Sequence, residues 1–381
     1  MRLLSVLAAL LLAGCDLVPG PAFSPTDLVP PSSPRPAPDT MTLEGLGSPF
    51  ADVYPAGEVE GKSGIHDLAV VDGRVYLGHG STNSAVPTRP VYYDVAAGAW
   101  GVDDAVIHQE GTFSLDVGPS GRLYASADDA IGVPKVLMIR RELDGSWTER
   151  VADDRENHSR HTYEWADPET GETLVFIQNA APHFPDVSVS YDGGETFTAY
   201  GYEASGVEPL RQYTFFGFRG ELYAASFRPQ AFAGYPTPKA RPYLVRYTRD
   251  RERPFEVVAQ TRTEVFPGEG SQVDEVAVLG NRLVVASYDF LSGTALSRDR
   301  MDVLPVSGQA VDLVRVGDAV YLLSADGPRG PSTLYVTRDG VTVDRVETFD
   351  RRFTAVEHAA GAFYLAEGGR GDALWRYRPA P

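Results

Sequence analysis

Seven times along this chain an apolar-rich run reaches a tight turn at a glycine and resumes as an aromatic or β-branched run. The turns fall at Gly73, Gly121, Gly171, Gly220, Gly280, Gly317 and Gly361, separated by 48, 50, 49, 60, 37 and 44 residues. Self-similarity at such a period marks a repeat architecture, in which each unit is one supersecondary motif that buries its faces only against its neighbours. Every unit opens as a hairpin whose turn residues, such as Asp72-Gly73 and Gly280-Asn281, tolerate positive φ. A third run follows in each: VYYDV, VLMIRRE, VSVSYD, YLVRYT, TALSRD, TLYVTRD and ALWRYR. Most units then turn once more. Four short antiparallel strands per unit are the blade of a β-propeller, and no stretch carries a long helical period. The expected fold is all-β, a seven-bladed β-propeller, with six or eight blades as the alternative counts.

The last unit reaches Tyr377-Arg378-Pro379 with only three strands. Ala51 to Glu58 is the candidate for the missing one. An N-terminal strand completing the last blade would close the ring and leave no long unpaired edge at the seam. The propeller is accordingly expected over residues 49–381.

The N-terminus has another character. Met1-Arg2 precedes an apolar run from Leu3 to Gly14, a signal-peptide pattern for residues 1–14, too short for a membrane span of about 20 residues. The run ends on Leu12-Ala13-Gly14-Cys15, which resembles the lipobox of bacterial lipoproteins. That resemblance implies acylation of Cys15, anchorage in a lipid bilayer, and a place in the bacterial cell envelope, periplasmic or surface-exposed. Cys15 is the only cysteine, so no disulfide framework is available. Residues 15–48 then carry eight prolines between Pro19 and Pro38, a composition that favours extended backbone and builds no core. This segment is expected to be a tether.

The formal charge is −18. Such a surface repels phosphate backbones, so nucleic acid is excluded as a partner on electrostatic grounds; cations and neutral or basic ligands stay open. A monomer is expected.

Ser190-Tyr191-Asp192-Gly193-Gly194-Glu195-Thr196-Phe197 resembles the Asp-box, S-x-D-x-G-x-T-[WF], of sialidases and many other propellers. The resemblance implies a structural role for Ser190, Asp192, Gly194, Thr196 and Phe197 in the turn between third and fourth strands. Thr337-Arg338-Asp339-Gly340-Val341-Thr342 is a degenerate relative.

Two sets of side chains are candidates for chemistry. Six of the seven histidines lie between residues 66 and 183. His66, His108, His158 and His161 stand at or before first strands, and His79 and His183 in loops between second and third strands. All six are expected on one face, in one sector. They read either as a metal or acid–base site, histidine being the commonest metal ligand and titrating near neutrality, or as separate loop hydrogen bonds. Asp67, Asp116, Glu164, Asp274, Asp312 and Glu357 each precede a hairpin glycine by four to seven residues, on the innermost strands. They read either as a ring of channel carboxylates suited to a hard divalent cation or as caps on free backbone amides. No other cofactor is implied.

Sialidase-like glycoside hydrolysis would require an arginine triad, a tyrosine nucleophile and an early F/Y-R-I-P motif, which Phe227-Arg228-Pro229 only echoes. Quinoprotein dehydrogenases carry tryptophan-rich motifs, and this chain has four tryptophans. A metal-dependent hydrolase or lyase would draw on the histidine sector. With no recognisable catalytic motif, the expectation is a non-catalytic module that binds a small molecule, a glycan or a protein.

Overall fold

The first hairpin shows how the repeat folds. Asp72 and Gly73 take φ of 52° and 74°, the left-handed backbone a two-residue turn needs, and join β2 (Ile65–Val71) to β3 (Arg74–His79). β4 (Val91–Asp94) and β5 (Ala99–Val102) complete a four-stranded antiparallel sheet in chain order. This computed structural model describes residues 42–62, 64–80, 86–131, 135–154, 158–180, 185–200, 213–226, 244–259, 273–287, 291–294, 302–327, 329–368 and 372–379.

Five more sheets repeat that order. Blade two holds β6 (Gln109–Val117), β7 (Leu123–Ala130), β8 (Val136–Arg141) and β9 (Trp147–Asp153). Blade three holds β10 (His158–Ala166), β11 (Thr173–Ala180), β12 (Pro185–Ser190) and β13 (Thr198–Tyr200). Blade four holds β14 (Tyr213–Phe218), β15 (Glu221–Ser226), β16 (Leu244–Tyr247) and β17 (Phe255–Ala259). Blade five holds β18 (Val273–Leu279), β19 (Arg282–Ser287), β20 (Leu291–Thr294) and β21 (Asp302–Val303); its third strand thus begins upstream of the TALSRD run expected to form it. Blade six holds β22 (Gln309–Val316), β23 (Ala319–Ala325), β24 (Ser332–Thr337) and β25 (Asp344–Thr348).

The seventh blade is closed from the other end of the chain. β26 (Phe353–Ala359), β27 (Ala362–Glu367) and β28 (Leu374–Arg378) pair in order, and β1 (Thr42–Gly47) adds the outer strand antiparallel to β28. The closing strand is therefore N-terminal, but it is not Ala51 to Glu58, and the folded unit starts at residue 41 rather than 49. Residues 50–53 and 59–62 form the one-turn helices α1 (Phe50–Val53) and α2 (Val59–Lys62). The reason lies in the side chains. Phe50 and Tyr54 are buried with Ile65, Val75 and Tyr364 at the junction of blades seven and one, a depth that an exposed outer strand would not give them. Thr42–Gly47, exposed except for the half-buried Leu43 and Leu46, suits that edge.

Adjacent blades pack face to face through apolar layers. Trp165, Phe176 and Val189 of blade three meet Phe215, Tyr247 and Phe255 of blade four, and Leu323 and Leu334 of blade six meet Phe353 and Phe363 of blade seven. Burying one such side chain is worth about 1.5–3 kcal/mol. Every blade thus depends on its neighbours, and the inner strands are held at a fixed spacing around the channel.

Candidate functional site

Six of the seven inner strands share one irregularity, the exception being β14 of blade four. Register slips by one residue between Ile65 and Asp67, Thr112 and Ser114, Ser159 and His161, Val273 and Glu275, Ala310 and Asp312, and Phe353 and Ala355. A β-bulge re-aims the side chain that follows it, and in blades one, three and six that side chain reaches the next blade. In blade one that side chain is Asp67, whose Oδ2 accepts the Leu115 N–H of blade two at 2.7 Å while Oδ1 accepts the Leu68 N–H at 2.7 Å. In blade six Asp312 does the same with the Val356 N–H of blade seven, 2.6 Å, and the Leu313 N–H, 2.7 Å. In blade three His161 takes the role, its Nδ1 accepting the Phe215 N–H of blade four at 3.1 Å. One position, occupied by carboxylate or imidazole, latches each of these blades to the next.

Because Nδ1 of His161 accepts, its proton sits on Nε2, which lies 2.9 Å from Asp116 Oδ2 in blade two. His161 therefore ties three consecutive blades together. Asp116 and Glu357 stand two residues beyond the bulge in blades two and seven. Burial pushes Glu357 up to about 7. Burial, with the charges of Asp116 and Glu357 adding, pushes Asp67 up to about 7 against the opposing pull of two backbone N–H groups. Asp312 is raised well above the usual carboxylate range, by burial first and then by the charge of Asp67. Blades six, seven, one and two thus place four mutually repelling carboxyl groups along the inner wall.

Glu164 does not belong to that set. It lies on β10 but one residue out of phase with His161 and Tyr163, so alternation turns it back toward blade two. There its carboxylate accepts from Ser120 N–H at 3.2 Å, Ser120 Oγ at 2.6 Å and the Tyr124 hydroxyl at 2.8 Å. Asp274 is on β18, and its side chain lies outside the described residues.

Four of the six histidines have described side chains, and each of these has partners of its own. His66 Nε2 is 2.7 Å from the Gly80 carbonyl, and its ring lies against Phe113. His79 is fully buried between two carbonyl oxygens, Nδ1 2.8 Å from Lys62 O and Nε2 3.0 Å from Arg89 O; burial pushes it down to about 4, against the opposing pull of those two carbonyls. His108 turns away from the channel onto β9, its N–H and Nδ1 both on the Glu149 carboxylate at 2.7 and 2.8 Å. His161 is in the channel latch. The side chain of His158, and His183 altogether, lie outside the described residues, as does Cys15. Among the described residues no three His, Cys, Asp or Glu side chains are grouped to hold a metal ion.

One buried polar group had no signature in the sequence. Lys62 of α2 is completely enclosed, its Nζ donating to Thr88 Oγ1 at 3.2 Å and to the Glu110 carbonyl. Burial pushes this ammonium down to about 8. It pins the N-terminal helical segment across blades one and two, next to a bridge where Gly80 and Gly111 approach so closely that a Cβ on Gly80 would stand 2.7 Å from Gly111 Cα.

The turn between β12 and β13 is built on Asp192. Its Oδ1 accepts the Glu195 and Thr196 N–H groups at 3.2 and 2.9 Å, and its Oδ2 accepts the Thr196 hydroxyl at 2.6 Å. The Thr196 bonds hold its carboxyl down at about 2. Ser190 Oγ accepts the Gly194 N–H at 2.7 Å, and Gly194 takes φ of 95° where a Cβ would strike Arg140. Phe197 packs on Tyr124, Met138 and Val175. Blade six repeats the device: Asp339 Oδ1 accepts the Val341 and Thr342 N–H groups at 2.8 Å each, and Oδ2 the Thr342 hydroxyl at 2.8 Å.

No family model matches this sequence, and no curated protein matches it. Solved structures do resemble its fold. The Dos1 propeller is 10% identical with a TM-score of 0.51, over 82% of this chain and 78% of that one. The extracellular domain of the one-component system BT4673 from B. thetaiotaomicron is 10% identical with a TM-score of 0.55, over 88% of this chain and 43% of that one. The polysaccharide lyase Uly1 is 9% identical with a TM-score of 0.51, over 88% of this chain and 98% of that one. At these identities the likeness is one of fold alone: this chain is a β-propeller.

Proposed function

We propose that this protein is a lipid-anchored β-propeller of the bacterial cell envelope that captures a ligand without transforming it. The observation that carries this reading is the employment of its reactive side chains. Asp67, His161 and Asp312 each hold one blade to the next, His79 lies buried among carbonyls, and Glu149 occupies His108. Side chains spent in this way make a rigid scaffold, and rigidity lowers the ordering cost of binding. The signal-like N-terminus and Cys15 support the envelope location and the lipid anchor. A small molecule, a glycan or a protein remain the ligand classes, with the protein acting as a monomer.

A second reading rests on one pair. A neutral imidazole donating Nε2–H to a carboxylate, as His161 does to Asp116, is also an acid–base arrangement, and one of the similar folds is a polysaccharide lyase. This reading makes the protein a glycoside hydrolase, or another hydrolase or lyase.

One experiment separates them. The full chain is incubated with panels of polysaccharides, glycosides and lactones, and both retention and turnover are measured for the wild type and His161→Gln. The binding module retains a ligand and releases no product. Turnover that His161→Gln abolishes in a protein of unchanged Tm would overturn it. For the anchor, labelled palmitate should enter the wild type and not Cys15→Ala.

A further inference from the structure

Outside the channel, the junction of blades one and two opens to the rim as a cleft of about 320 Å³, bounded by the 103–107 connection on one side and by Trp147 and Glu149 of β9 on the other. Its floor is fixed. Asp103 Oδ2 accepts the Trp147 indole N–H at 2.7 Å and the Tyr76 hydroxyl at 2.9 Å, and Arg74 and Arg141 offset the Asp103 charge. Its lip at Val106 is apolar and 44% exposed. Its remaining charge is negative: Asp104 is exposed and forms no ion pair among the described residues, and Glu149, which takes two bonds from His108, keeps lone pairs to spare. By strand alternation Trp147, Glu149 and Val151 share the face of β9 that looks into the cleft, while Arg150 turns to Glu195 of blade three at 3.8 Å. β9 is also an open edge, bonded only to β8. At seven residues it is the longest outer strand among the described residues, the others having two to six.

We infer that this cleft is a docking site for an extended basic peptide, which pairs with the β9 edge and inserts a lysine or arginine side chain between Val106 and Trp147. Each part of the ligand meets a complement. A strand edge binds extended backbone, with pockets reading alternate side chains. Val106 and the Trp147 ring take the methylene stem. Asp104 and Glu149 take the cationic head, and the indole ring adds a cation–π contribution. The formal charge of −18 draws such a peptide in. This site is separate from the channel and independent of whether the channel acts chemically.

The test is fluorescence anisotropy on the full chain with a labelled peptide of alternating lysine and valine, and with its glutamate counterpart. Asp104→Asn combined with Glu149→Gln removes the acceptors' charge, while the amide oxygen introduced at position 149 still caps the His108 N–H. Asp318→Asn with Asp344→Asn removes the same charge from exposed positions on blade six. We expect saturable binding of the lysine peptide alone, weakened about tenfold by the cleft pair and less than about twofold by the blade-six pair, with Asp104→Asn by itself weakening it about threefold. Equal weakening by both pairs would mean general attraction to an acidic surface and overturn the site. So would the absence of saturable binding by the wild type, or an unaltered affinity in Asp104→Asn.

Discussion

His161 Nε2 lies 2.9 Å from Asp116 Oδ2, and this contact, with the Phe215 N–H on the other ring nitrogen, spans three consecutive blades. Replacing His161 by alanine strands a buried backbone N–H and a carboxylate. An unsatisfied buried donor costs about 1–3 kcal/mol, so His161→Ala should lower the unfolding free energy by about 2 kcal/mol. Asp116→Asn keeps an acceptor for Nε2–H and should cost under about 1 kcal/mol. Urea titration of the two variants measures both, and equal losses would show that the imidazole is not the bridge.

The channel carboxyl groups make stability depend on pH. Asp67 and Glu357 are raised to about 7 in the fold from about 4 in the unfolded chain, so the folded state binds more protons between those values. The stability that this protonation adds is fully present below about pH 4 and is lost as pH rises through 7. Thermal unfolding should therefore give a Tm that falls from pH 5 to pH 8, with a shallower slope in Asp67→Asn/Glu357→Gln. Parallel slopes in wild type and variant would exclude these groups as the source.

The turn carboxylates behave in the opposite sense. Asp192, held at about 2 by its bonds to Thr196, contributes stability that is present above about pH 4 and is lost as pH falls through 2. Asp192→Ala should therefore lower stability by about the same amount at pH 5 and pH 8, of order 1 kcal/mol for the lost turn bonds. A loss confined to one end of that range would contradict the assignment.

The seam gives a truncation test. A chain beginning at Met41 retains β1 against β28 and should unfold at the midpoint of the full chain. One beginning at Pro49 leaves the β28 edge unpaired, uncovers Trp375, which sits within 3.2 Å of a Cβ placed on Gly45, and should unfold earlier and aggregate. Equal midpoints in denaturant would show that β1 does not hold the ring.

The repeat of turn glycines and half-apolar runs determined by itself that the chain folds as four-stranded antiparallel blades, because a hairpin turn and an alternating strand are local properties of backbone and side chain. The Asp192 turn is local in the same way, all its partners lying within four residues. Which N-terminal stretch closes the ring was not legible, since Thr42–Gly47 and Ala51–Glu58 both tolerate an edge and only the pocket for Phe50 and Tyr54 at the seam separates them. The channel was half legible. Asp67-Leu68 and Asp312-Leu313 occupy matching places, each aspartate five residues before the first residue of its turn, a signal that counting to the nearest glycine blurs, so that Glu164 reads as one of them although alternation sends it to blade two. That His161 substitutes for a carboxylate in the latch, that Lys62 is enclosed, and that Trp147 and Asp104 share a rim cleft was decided by tertiary structure alone. Each depends on the spacing and rotation of neighbouring blades, which no single stretch of sequence encodes.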